Sequence, residues 1–344
     1  MKATINDVAK QAGVSIKTVS RVMNNESSVR QLTRDKVMEA VNDLHYQPNL
    51  AARNLAGTKA YSIAFIYDNP NAYYVIDMQN GILAACKQQG FELLIHPCQA
   101  KSVHVLDEIA DMVRKTRVAG LVLTPPFSEM PEFVQKIIDL NVDVVRIMSG
   151  DVAPDELAPC IMVNDHAASV SITQHLIDLG HKHIGFIAGE AAHMSTVERL
   201  RGYKQALSDN GIALDERLII NGEYSFESGV LGAKQLMSED IRPTAIFSCN
   251  DEIAAGALFA ARLMGISIPD QLSIAGFENS PFSRQTWPRL TTANQPNQKI
   301  AEDAANLLIA KSRKQTPQNS VHHYTPRLIV RDSTAKHSSL IIAH

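Results

Sequence analysis

Four side chains near the start of a predicted helix have the types and the spacing needed to read bases in DNA. They follow one another at helical spacing, away from the apolar face, and are Ile16, Lys17, Ser20 and Arg21. Arg21 can donate two hydrogen bonds to a guanine, Lys17 can reach a base or a phosphate, and Ile16 can contact a thymine methyl group. The pattern predicts an edge that enters the major groove, with a merely solvated helical hairpin as the alternative.

Two short helices must position this edge. Thr4 is predicted to cap a helix over Ile5–Ala12, with Asp7 at the capping-box position and Gly13 as the left-handed residue that ends it. Ser15 is predicted to cap a second helix over residues 16–24. A third helix begins at Gln31 or Thr33, and these three helices make up a predicted domain over residues 1–45.

Charge is unevenly distributed along the 344-residue chain, which carries a net charge of −3. Residues 1–60 hold nine Lys and Arg against five Asp and Glu, which gives +4 and leaves −7 for the remainder. A basic small segment on an acidic body indicates that only the N-terminal part meets nucleic acid.

Strands and helices alternate after Tyr61, and this alternation predicts parallel sheets with right-handed crossovers. Helices are expected at 77–89, 167–179 and 200–210, and strands at 160–163, 183–188, 217–220 and 272–277. The segment 46–59, bounded by Pro48 and Gly57, is predicted to be a linker that can become one helix.

The four cysteines lie far apart within apolar runs, so we expect buried, reduced thiols. His181 and His183 precede a predicted buried strand, and neither a metal site nor a cofactor is expected. No apolar run reaches the length of a membrane span, and Met1 opens no signal peptide. We therefore expect a cytoplasmic protein without a membrane partner.

At this point the chain resembles the LacI/GalR family of bacterial transcription regulators. The first helices carry nearly the family signature in Asp7-Val8-Ala9, Ala12-Gly13-Val14-Ser15, Thr18-Val19-Ser20-Arg21-Val22 and Asn24. Further family landmarks extend to about Asp332 and are Tyr46-Gln47-Pro48-Asn49, Ala51-Ala52-Arg53-Asn54-Leu55, Leu179-Gly180-His181-Lys182-His183-Ile184, Arg199-Leu200-Arg201-Gly202-Tyr203, Cys249-Asn250-Asp251 and Pro288-Arg289-Leu290-Thr291-Thr292.

The resemblance implies a fold and a domain plan. We expect an α/β core of two similar Rossmann-like subdomains, periplasmic-binding-protein-like type I, behind an N-terminal all-α helix-turn-helix domain. The core would cover residues 60–333, with an N-subdomain over 60–160 and 292–320 and a C-subdomain over 161–291 and 321–333. Residues 334–344 would be a tail that is too short to form a tetramerisation helix and that has no leucine heptads. A homodimer is therefore expected.

The resemblance also implies operator recognition. Family members bind near-palindromic double-stranded operators as dimers, and Leu55 of the hinge helix would wedge into the minor groove at the operator centre. Read alone, Leu55 is more typical of a packing residue. The expected DNA contacts are Thr4, Ser15, Ile16, Lys17, Thr18, Ser20, Arg21, Asn24, Tyr46, Asn49, Ala52 and Leu55.

A cleft between the two core halves would bind a small-molecule effector. Matching this chain to the family's positions implies the effector contacts Tyr73, Tyr74, Asp68, Asn69, Asp165, Arg199, Tyr224, Asn250, Glu278 and Trp287. Glu278 departs from the family, which usually has Asp there, so the ligand is expected to sit differently. Aromatic rings with an arginine, an amide and an acid suit a sugar, and a nucleobase or nucleoside is the competing ligand.

Several of these residues have simpler interpretations. Arg199 could pair with Glu198 or Glu223 on a surface, the tyrosines could be core residues, and Trp287 could pack rather than line the cleft. Two other classes of protein also fit an α/β core, a sugar-acting or nucleotide-using enzyme and a solute-binding protein. The chain lacks a phosphate loop and a nucleophile elbow, so an enzyme is not expected, and the DNA-reading module disfavours a solute-binding protein.

Overall fold

We describe a computed structural model of the chain over residues 3–23, 28–46, 61–153, 155–238, 242–315 and 321–337. The chain divides into a small unit, which contains the first three helices, and a large α/β unit. No helix in these ranges combines the length and apolar content that crossing a bilayer requires.

The small unit consists of α1 (Ile5–Ala12), α2 (Ile16–Met23) and α3 (Gln31–Asp43). Its core is small and valine-rich, formed by Val8, Ala9, Val19, Val22, Val37, Ala40 and Val41. Short side chains at these positions let three short helices pack closely, because helices this short are not stable alone and depend on tertiary burial.

The predicted caps of the first two helices are present. Asp7 Oδ2 accepts hydrogen bonds from Thr4 N at 2.8 Å and from Thr4 Oγ1 at 2.7 Å. Gly13 ends α1 in the left-handed conformation at a φ of 66°, which a residue with a Cβ rarely adopts. Thr18 N donates to Ser15 Oγ at 3.2 Å, so Ser15 caps α2 and sets where that helix begins.

The large unit begins with a six-stranded sheet, whose strands in spatial order are β11 (Val321–Tyr324), β5 (Cys160–Val163), β4 (Asp143–Ser149), β3 (Gly120–Leu123), β1 (Ser62–Tyr67) and β2 (Glu92–Pro97). The β1–β3, β3–β4, β4–β5 and β5–β11 pairs are parallel. Its elements in chain order are β1 (Ser62–Tyr67), α4 (Ala72–Gln89), β2 (Glu92–Pro97), α5 (Val105–Thr116), β3 (Gly120–Leu123), a 3-10 turn (Phe127–Glu129), α6 (Pro131–Ile138), β4 (Asp143–Ser149) and β5 (Cys160–Val163). Strands β3 and β5 are buried along their whole length, as strands covered on both faces must be.

A second, four-stranded sheet has the order β7-β6-β8-β9 and is parallel throughout. Its elements are α7 (Asp165–Asp178), β6 (Ile184–Ile187), α8 (Met194–Asp209), a 3-10 turn (Glu216–Leu218), β7 (Ile219–Ile220), α9 (Phe226–Ser238), β8 (Ala245–Ser248), α10 (Asp251–Leu263) and β9 (Ser273–Ala275). The remaining elements are α11 (Phe282–Gln285), β10 (Thr292–Asn294), α12 (Asn297–Ser312), β11 (Val321–Tyr324) and β12 (Arg327–Ile329), with β10 and β12 forming an antiparallel pair. This two-sheet α/β core confirms the predicted fold class.

The chain passes between the two halves a few residues later than the predicted boundaries. Both β5 and β11 belong to the six-stranded sheet, whereas the predicted boundaries at 160 and 320 would place residues 161–163 and 321–324 in the other half. Periodicity predicts that Cys160–Val163 is a buried strand, but it carries no information on which sheet that strand joins.

Three element boundaries differ from prediction, and polar side chains set two of them. Helix α4 begins at Ala72 rather than 77, since Asn71 Oδ1 accepts from the N–H groups of Tyr73 and Tyr74 at 3.1 and 3.2 Å. Helix α8 begins at Met194 rather than 200. The strand predicted at 217–220 shortens to two residues, because the Asp215 side chain accepts from Arg217 N and holds a 3-10 turn.

Candidate functional site

The outer edge of α2 presents the predicted base-reading side chains. Lys17 and Arg21 are exposed and Ile16 is 49% exposed, whereas Val19 and Val22 behind them are buried. The edge has the composition that major-groove readout requires, namely one guanidinium, one ammonium and one apolar tip. Ser20, also on this helix, is half-buried.

The other predicted DNA contacts have different local roles or lie outside the described residues. Thr4 and Ser15 cap helices, and Thr18 Oγ1 lies 2.9 Å from Ser15 Oγ. Tyr46 is half-buried and packs against the valine-rich core. Four more predicted contacts fall outside the described ranges and are Asn24, Asn49, Ala52 and Leu55.

A cavity of about 50 Å³ lies between the two halves of the large unit, at the carboxyl ends of the strands. Six of the ten predicted effector residues line it: Asn69, Tyr74, Asp165, Arg199, Tyr224 and Glu278. This volume holds a few water molecules, whereas small-ligand pockets measure roughly 300–1,000 Å³. A ligand must therefore displace side chains or separate the halves.

Arg199 is the centre of the cavity's polar network and is only 3% exposed. Its Nε donates to Asp165 Oδ1 at 2.7 Å and its Nη1 donates to the Cys249 carbonyl oxygen at 2.6 Å. Its guanidinium carbon lies 3.8 Å from the centre of the Phe277 ring. Burial is the largest single influence and lowers the pKa of Arg199, but Asp165, Tyr224, Cys249 and Glu278 together hold that pKa above its usual range. The surface pairing with Glu198 or Glu223 is thereby excluded.

A close helix crossing brings Arg199 to Asp165. Gly202 lies one turn after Arg199 on α8, and a Cβ at this position would come within 2.4 Å of the His166 carbonyl oxygen on α7. Asp165 is the first residue of α7, which Asn164 caps by accepting from Ala167 N at 2.9 Å. The missing side chain at 202 therefore permits the approach on which the ion pair depends.

Glu278 faces Arg199 from the loop after β9, with Oε1 3.9 Å from Nη1. Its backbone has a φ of 99°, a conformation unfavourable for residues with a Cβ, which a built site can impose. Asn71 Nδ2 donates to Glu278 Oε2 at 2.8 Å across the cleft. Burial raises the pKa of Glu278 to about 8, although Arg199 acts in the opposite direction.

Two tyrosine rings line the cavity and both are buried. The Tyr224 hydroxyl lies 2.8 Å from Thr196 Oγ1 and 3.0 Å from Ser195 Oγ, and its ring lies edge-on to the His193 ring at 5.6 Å between centroids. Tyr74 reaches the cavity from the first turn of α4. Because the Tyr224 hydroxyl is satisfied by protein groups, its ring is the part available to a ligand.

Four predicted effector residues do not line this cavity. Trp287 is 72% exposed, Tyr73 packs edge-on against Phe282, and Asp68 Oδ2 accepts from Ala100 N at 2.7 Å. Asn250 is buried and caps α10 by accepting from Ile253 N at 2.9 Å, and its Nδ2 has no partner within the described structure. The prediction assigned Asp68 and Tyr73 to the cavity together with their neighbours Asn69 and Tyr74, but the side chains of successive residues point in different directions, and only Asn69 and Tyr74 line it.

Sequence reasoning missed several polar residues that complete the cleft. Asn71 contacts Glu278, and Gln295 Oε1 lies 3.4 Å from Arg199 Nη2. Ser149 Oγ donates to Asp165 Oδ2 at 2.6 Å. Glu129 accepts from Ser149 N and from Met194 N, and burial raises its pKa to about 7. The available signal was position: Ser149 is the last residue of β4 and Asn71 lies four residues after the end of β1, and cleft residues occur at the carboxyl ends of parallel strands.

His181 has a structural role. Its Nδ1 lies 2.9 Å from Thr244 Oγ1, and its Nε2 lies 3.0 Å from Ser273 Oγ and 3.1 Å from the Ala335 carbonyl oxygen. Burial lowers the pKa of His181 to about 4, so the ring is neutral near pH 7. The histidine therefore ties the segment at Ala335 to the four-stranded sheet.

The raised pKa of Glu278 predicts a specific dependence of stability on pH. The unfolded chain releases this proton near the ordinary value of 4.5 and the native chain near 8, so stability falls as pH rises across that window. Each pH unit is worth at most about 1.4 kcal/mol for one group. Glu278→Gln should remove this pH-dependent loss of stability, so at pH 8.5 the variant should be more stable than wild type. Each kcal/mol of that difference in the free energy of unfolding should raise the melting temperature of the variant by about 2–4 °C.

Thermal unfolding followed by circular dichroism from pH 5 to 8.5 measures this difference. Glu132→Gln, at an exposed acid of α6, is the matched control and should follow the wild-type curve. If the melting temperatures of wild type and Glu278→Gln ran parallel across the whole range, the assigned proton at Glu278 would be wrong.

Both units contain segments that match models of known protein families. Residues 4–49 match the family model described as bacterial regulatory proteins, lacI family, and residues 173–334 match a periplasmic binding protein-like domain. The chain is 31% identical to catabolite control protein A of Priestia megaterium, over 97% of this chain and 100% of that protein. It is 30% identical to the HTH-type transcriptional repressor PurR of Vibrio atlanticus strain LGP32, over 97% of this chain and 99% of that protein.

Solved structures agree with the sequence relatives. The lac repressor dimer bound to operator and the anti-inducer ONPF matches with a TM-score of 0.75 at 27% identity, covering 97% of this chain and all of that one. The complex of the transcriptional regulator CelR with cellobiose matches with a TM-score of 0.73 at 26% identity, covering 96% of this chain and all of that one. These relatives are transcription regulators rather than enzymes.

Proposed function

The chain belongs to the LacI family of bacterial regulatory proteins and is a DNA-binding transcriptional repressor, and from that premise we propose that a neutral sugar bound in the interlobe cleft controls it. The observation that carries this proposal is the array of the buried Arg199 and Asp165 with the 10% exposed Glu278, beside the rings of Tyr74 and Tyr224. Planar charged groups at fixed spacing suit pairs of hydroxyls, and aromatic rings suit the apolar face of a pyranose.

The charge balance of the cleft favours a neutral ligand over an anionic one. Asp165 already pairs with the single guanidinium, the raised pKa of Glu278 keeps that carboxyl group protonated at neutral pH, and the half-buried Glu129 lies close by. A phosphorylated sugar would bring further negative charge into a buried site whose one cation is already paired. A neutral sugar can accept from Arg199 and from the protonated Glu278 and can donate to the Asp165 carboxylate, which leaves no buried charge without a partner.

Binding must act through the contacts that join the two halves. Asn71 bonds to Glu278, Met194 N bonds to Glu129, and Ser149 bonds to Asp165. A sugar larger than the present cavity replaces some of these bonds and so changes the relative stability of open and closed arrangements. We propose that this two-state hinge transmits effector binding to the operator-binding helices.

We propose a homodimer as the active form. Exposed large apolar side chains recur along helices of the large unit at Ile76 and Leu83 of α4, at Leu231 of α9, and at Phe259 and Leu263 of α10. Phe259 and Leu263 are four residues apart and therefore share one face of α10. Apolar surfaces of this kind mark protein interfaces, and two recognition helices match the near-palindromic operators expected for this family.

A thermal-shift panel on the full-length protein tests the effector class. The panel holds neutral mono- and disaccharides, nucleosides, nucleobases and sugar phosphates, and the proposal expects stabilisation of several degrees by a neutral sugar at millimolar concentration. Stabilisation by a nucleoside or nucleobase alone would establish the competing effector. A sugar phosphate as the sole stabilising compound would refute the charge argument.

A gel-shift titration on the protein's own upstream DNA completes the test. Specific binding should weaken steeply as salt rises, and the stabilising ligand should change the midpoint. Two chains per operator, measured by sedimentation, are expected. A stabilising sugar that left operator affinity unchanged would remove the proposed allosteric role.

A further inference from the structure

A second polar cluster lies outside the interlobe cleft, at the edge of the six-stranded sheet. His96 is the second-last residue of β2, Cys98 is the first residue after that strand, and Glu108 lies in the first turn of α5. The side chains of His96 and Cys98 both reach Glu108 of α5. Their nitrogen, sulfur and carboxylate oxygen atoms all lie within 4.8 Å of one another.

The arrangement leaves a polar atom without its usual partner. His96 Nε2 is buried and makes no hydrogen bond within the described structure, although Glu108 Oε1 lies only 3.2 Å away. The oxygen is near enough to be a partner but lies in the wrong direction for the ring N–H. Cys98 Sγ lies 4.0 Å from the same oxygen and 3.8 Å from the His96 carbonyl oxygen.

We propose that His96, Cys98 and Glu108 bind one divalent transition-metal ion, with Zn²⁺ as the best fit. A tetrahedral Zn²⁺ holds nitrogen and oxygen ligands at about 2.0–2.1 Å, which places those two ligands roughly 3.3 Å apart. The observed nitrogen-to-oxygen distance of 3.2 Å matches this separation. A Zn–S distance of about 2.3 Å would place the sulfur roughly 3.5 Å from both other ligand atoms. Cys98 Sγ lies 4.0 Å from Glu108 Oε1 and within 4.8 Å of the His96 ring nitrogen, so its side chain must move inward by about 0.5–1 Å to complete the site.

Charge and access also suit an ion of this type. A thiolate and a carboxylate neutralise the two positive charges, and the imidazole adds a neutral borderline-soft donor. Cys98 is buried, whereas the Glu108 side chain is 47% exposed and the His96 side chain 22% exposed, so an ion can enter from the helix side. The fourth position would be taken by water.

A reactive thiol is the main competing role for Cys98, and the surroundings oppose it. Burial raises the pKa of the Cys98 thiol to about 12, and Glu108 and Asp68 act in the same direction. A thiol that reacts with oxidants or disulfides needs a lowered pKa near cationic groups. In contrast, a bound cation supplies the positive charge that this acidic pocket lacks and displaces the thiol proton to solvent.

The proposed ion would stiffen a segment that adjoins the interlobe cleft. It would connect the end of β2 to the first turn of α5. Two residues beyond Cys98, Ala100 N donates to Asp68 Oδ2 at 2.7 Å, and Asp68 precedes the cleft residue Asn69. The site is distinct from the effector cavity because none of its three ligands lines that cavity.

Cobalt titration of the full-length protein tests the proposal. Protein stripped with EDTA and kept reduced should bind one Co²⁺ per chain with a near-ultraviolet thiolate-to-cobalt absorption band, and Zn²⁺ should displace the cobalt and remove the band. Cys98→Ser should abolish the band, and His96→Asn and Glu108→Gln should each weaken Co²⁺ binding by at least about tenfold.

Matched variants separate this site from adventitious binding at the surface. His104→Asn and Asp107→Asn alter exposed residues at the start of the same helix and should leave the cobalt affinity unchanged. If Cys98→Ser were misfolded by circular dichroism, Glu108→Gln, at a half-exposed position, would carry the test. Absence of the band in wild type, or equal affinity in wild type and His96→Asn, would overturn the proposal.

Discussion

Arg199→Ala is expected to abolish the effector response while the free protein still binds its operator. Arg199 lines the cavity and is proposed to donate charge-assisted hydrogen bonds to the effector, each worth about 1.5–3 kcal/mol, so loss of two such bonds should lower effector affinity at least about 100-fold. The residue lies in the large unit and has no place in the recognition edge of α2. Calorimetry with the stabilising sugar and gel shifts with and without it measure both effects.

The same substitution should also destabilise the large unit. Asp165 is 2% exposed and loses its cationic partner, and removing one member of a buried pair costs about 3–5 kcal/mol. Adding Asp165→Asn to Arg199→Ala removes the unpaired charge and should restore part of this stability, but not effector binding. The double variant therefore separates the loss of a ligand contact from a general loss of folding.

Arg201→Ala is the matched control for Arg199. Arg201 lies on the same helix but does not line the cavity, and its 54% exposed side chain pairs with the buried Glu198. Its removal should leave effector affinity nearly unchanged, although it should cost some stability because the buried Glu198 loses its cationic partner. Unchanged effector affinity in Arg199→Ala would refute the role assigned to Arg199.

Arg21→Ala is expected to relax base preference at one position in each operator half-site. A bidentate contact between arginine and guanine discriminates against other bases by about 1–3 kcal/mol. Affinity for the operator should therefore fall roughly 5- to 150-fold, while affinity for unrelated DNA falls much less. Competition gel shifts with single-base operator variants locate the position that loses selectivity.

Lys36→Ala removes the same charge from an exposed position on α3 and provides the control. Loss of a positive charge should weaken binding to all DNA sequences to a similar extent and should leave the order of preference among operator variants intact. Full selectivity in Arg21→Ala would remove Arg21 from the base-reading role and would leave it a phosphate contact.

The recognition helices were predictable because their signals are local. The capping residues Thr4 and Ser15 and the left-handed Gly13 act within four residues of the backbone groups that they satisfy. The exposed side of α2 follows from helical spacing alone, and the structure places Ile16, Lys17 and Arg21 where that spacing requires. The alternating pattern likewise predicted two parallel sheets.

The cleft was predictable only through the resemblance, and then only in part. That resemblance led to Asp165, Arg199, Tyr224 and Glu278, which the structure brings together. It also led to Trp287, which is 72% exposed, and it missed the role of Asn71. A position matched in sequence identifies a turn, but the direction of each side chain within that turn depends on backbone angles such as the φ of 99° at residue 278.

The amino-acid sequence by itself determined the helices, their caps, the DNA-reading edge and the α/β class, because each depends on residues a few positions apart. Tertiary structure alone decided the pairings of the cleft and of the proposed metal site. Arg199 meets Asp165 across 34 residues, and Asn71 meets Glu278 across 207. Such contacts depend on strand order and on where the chain crosses between the halves, and neither leaves a periodic trace in the sequence.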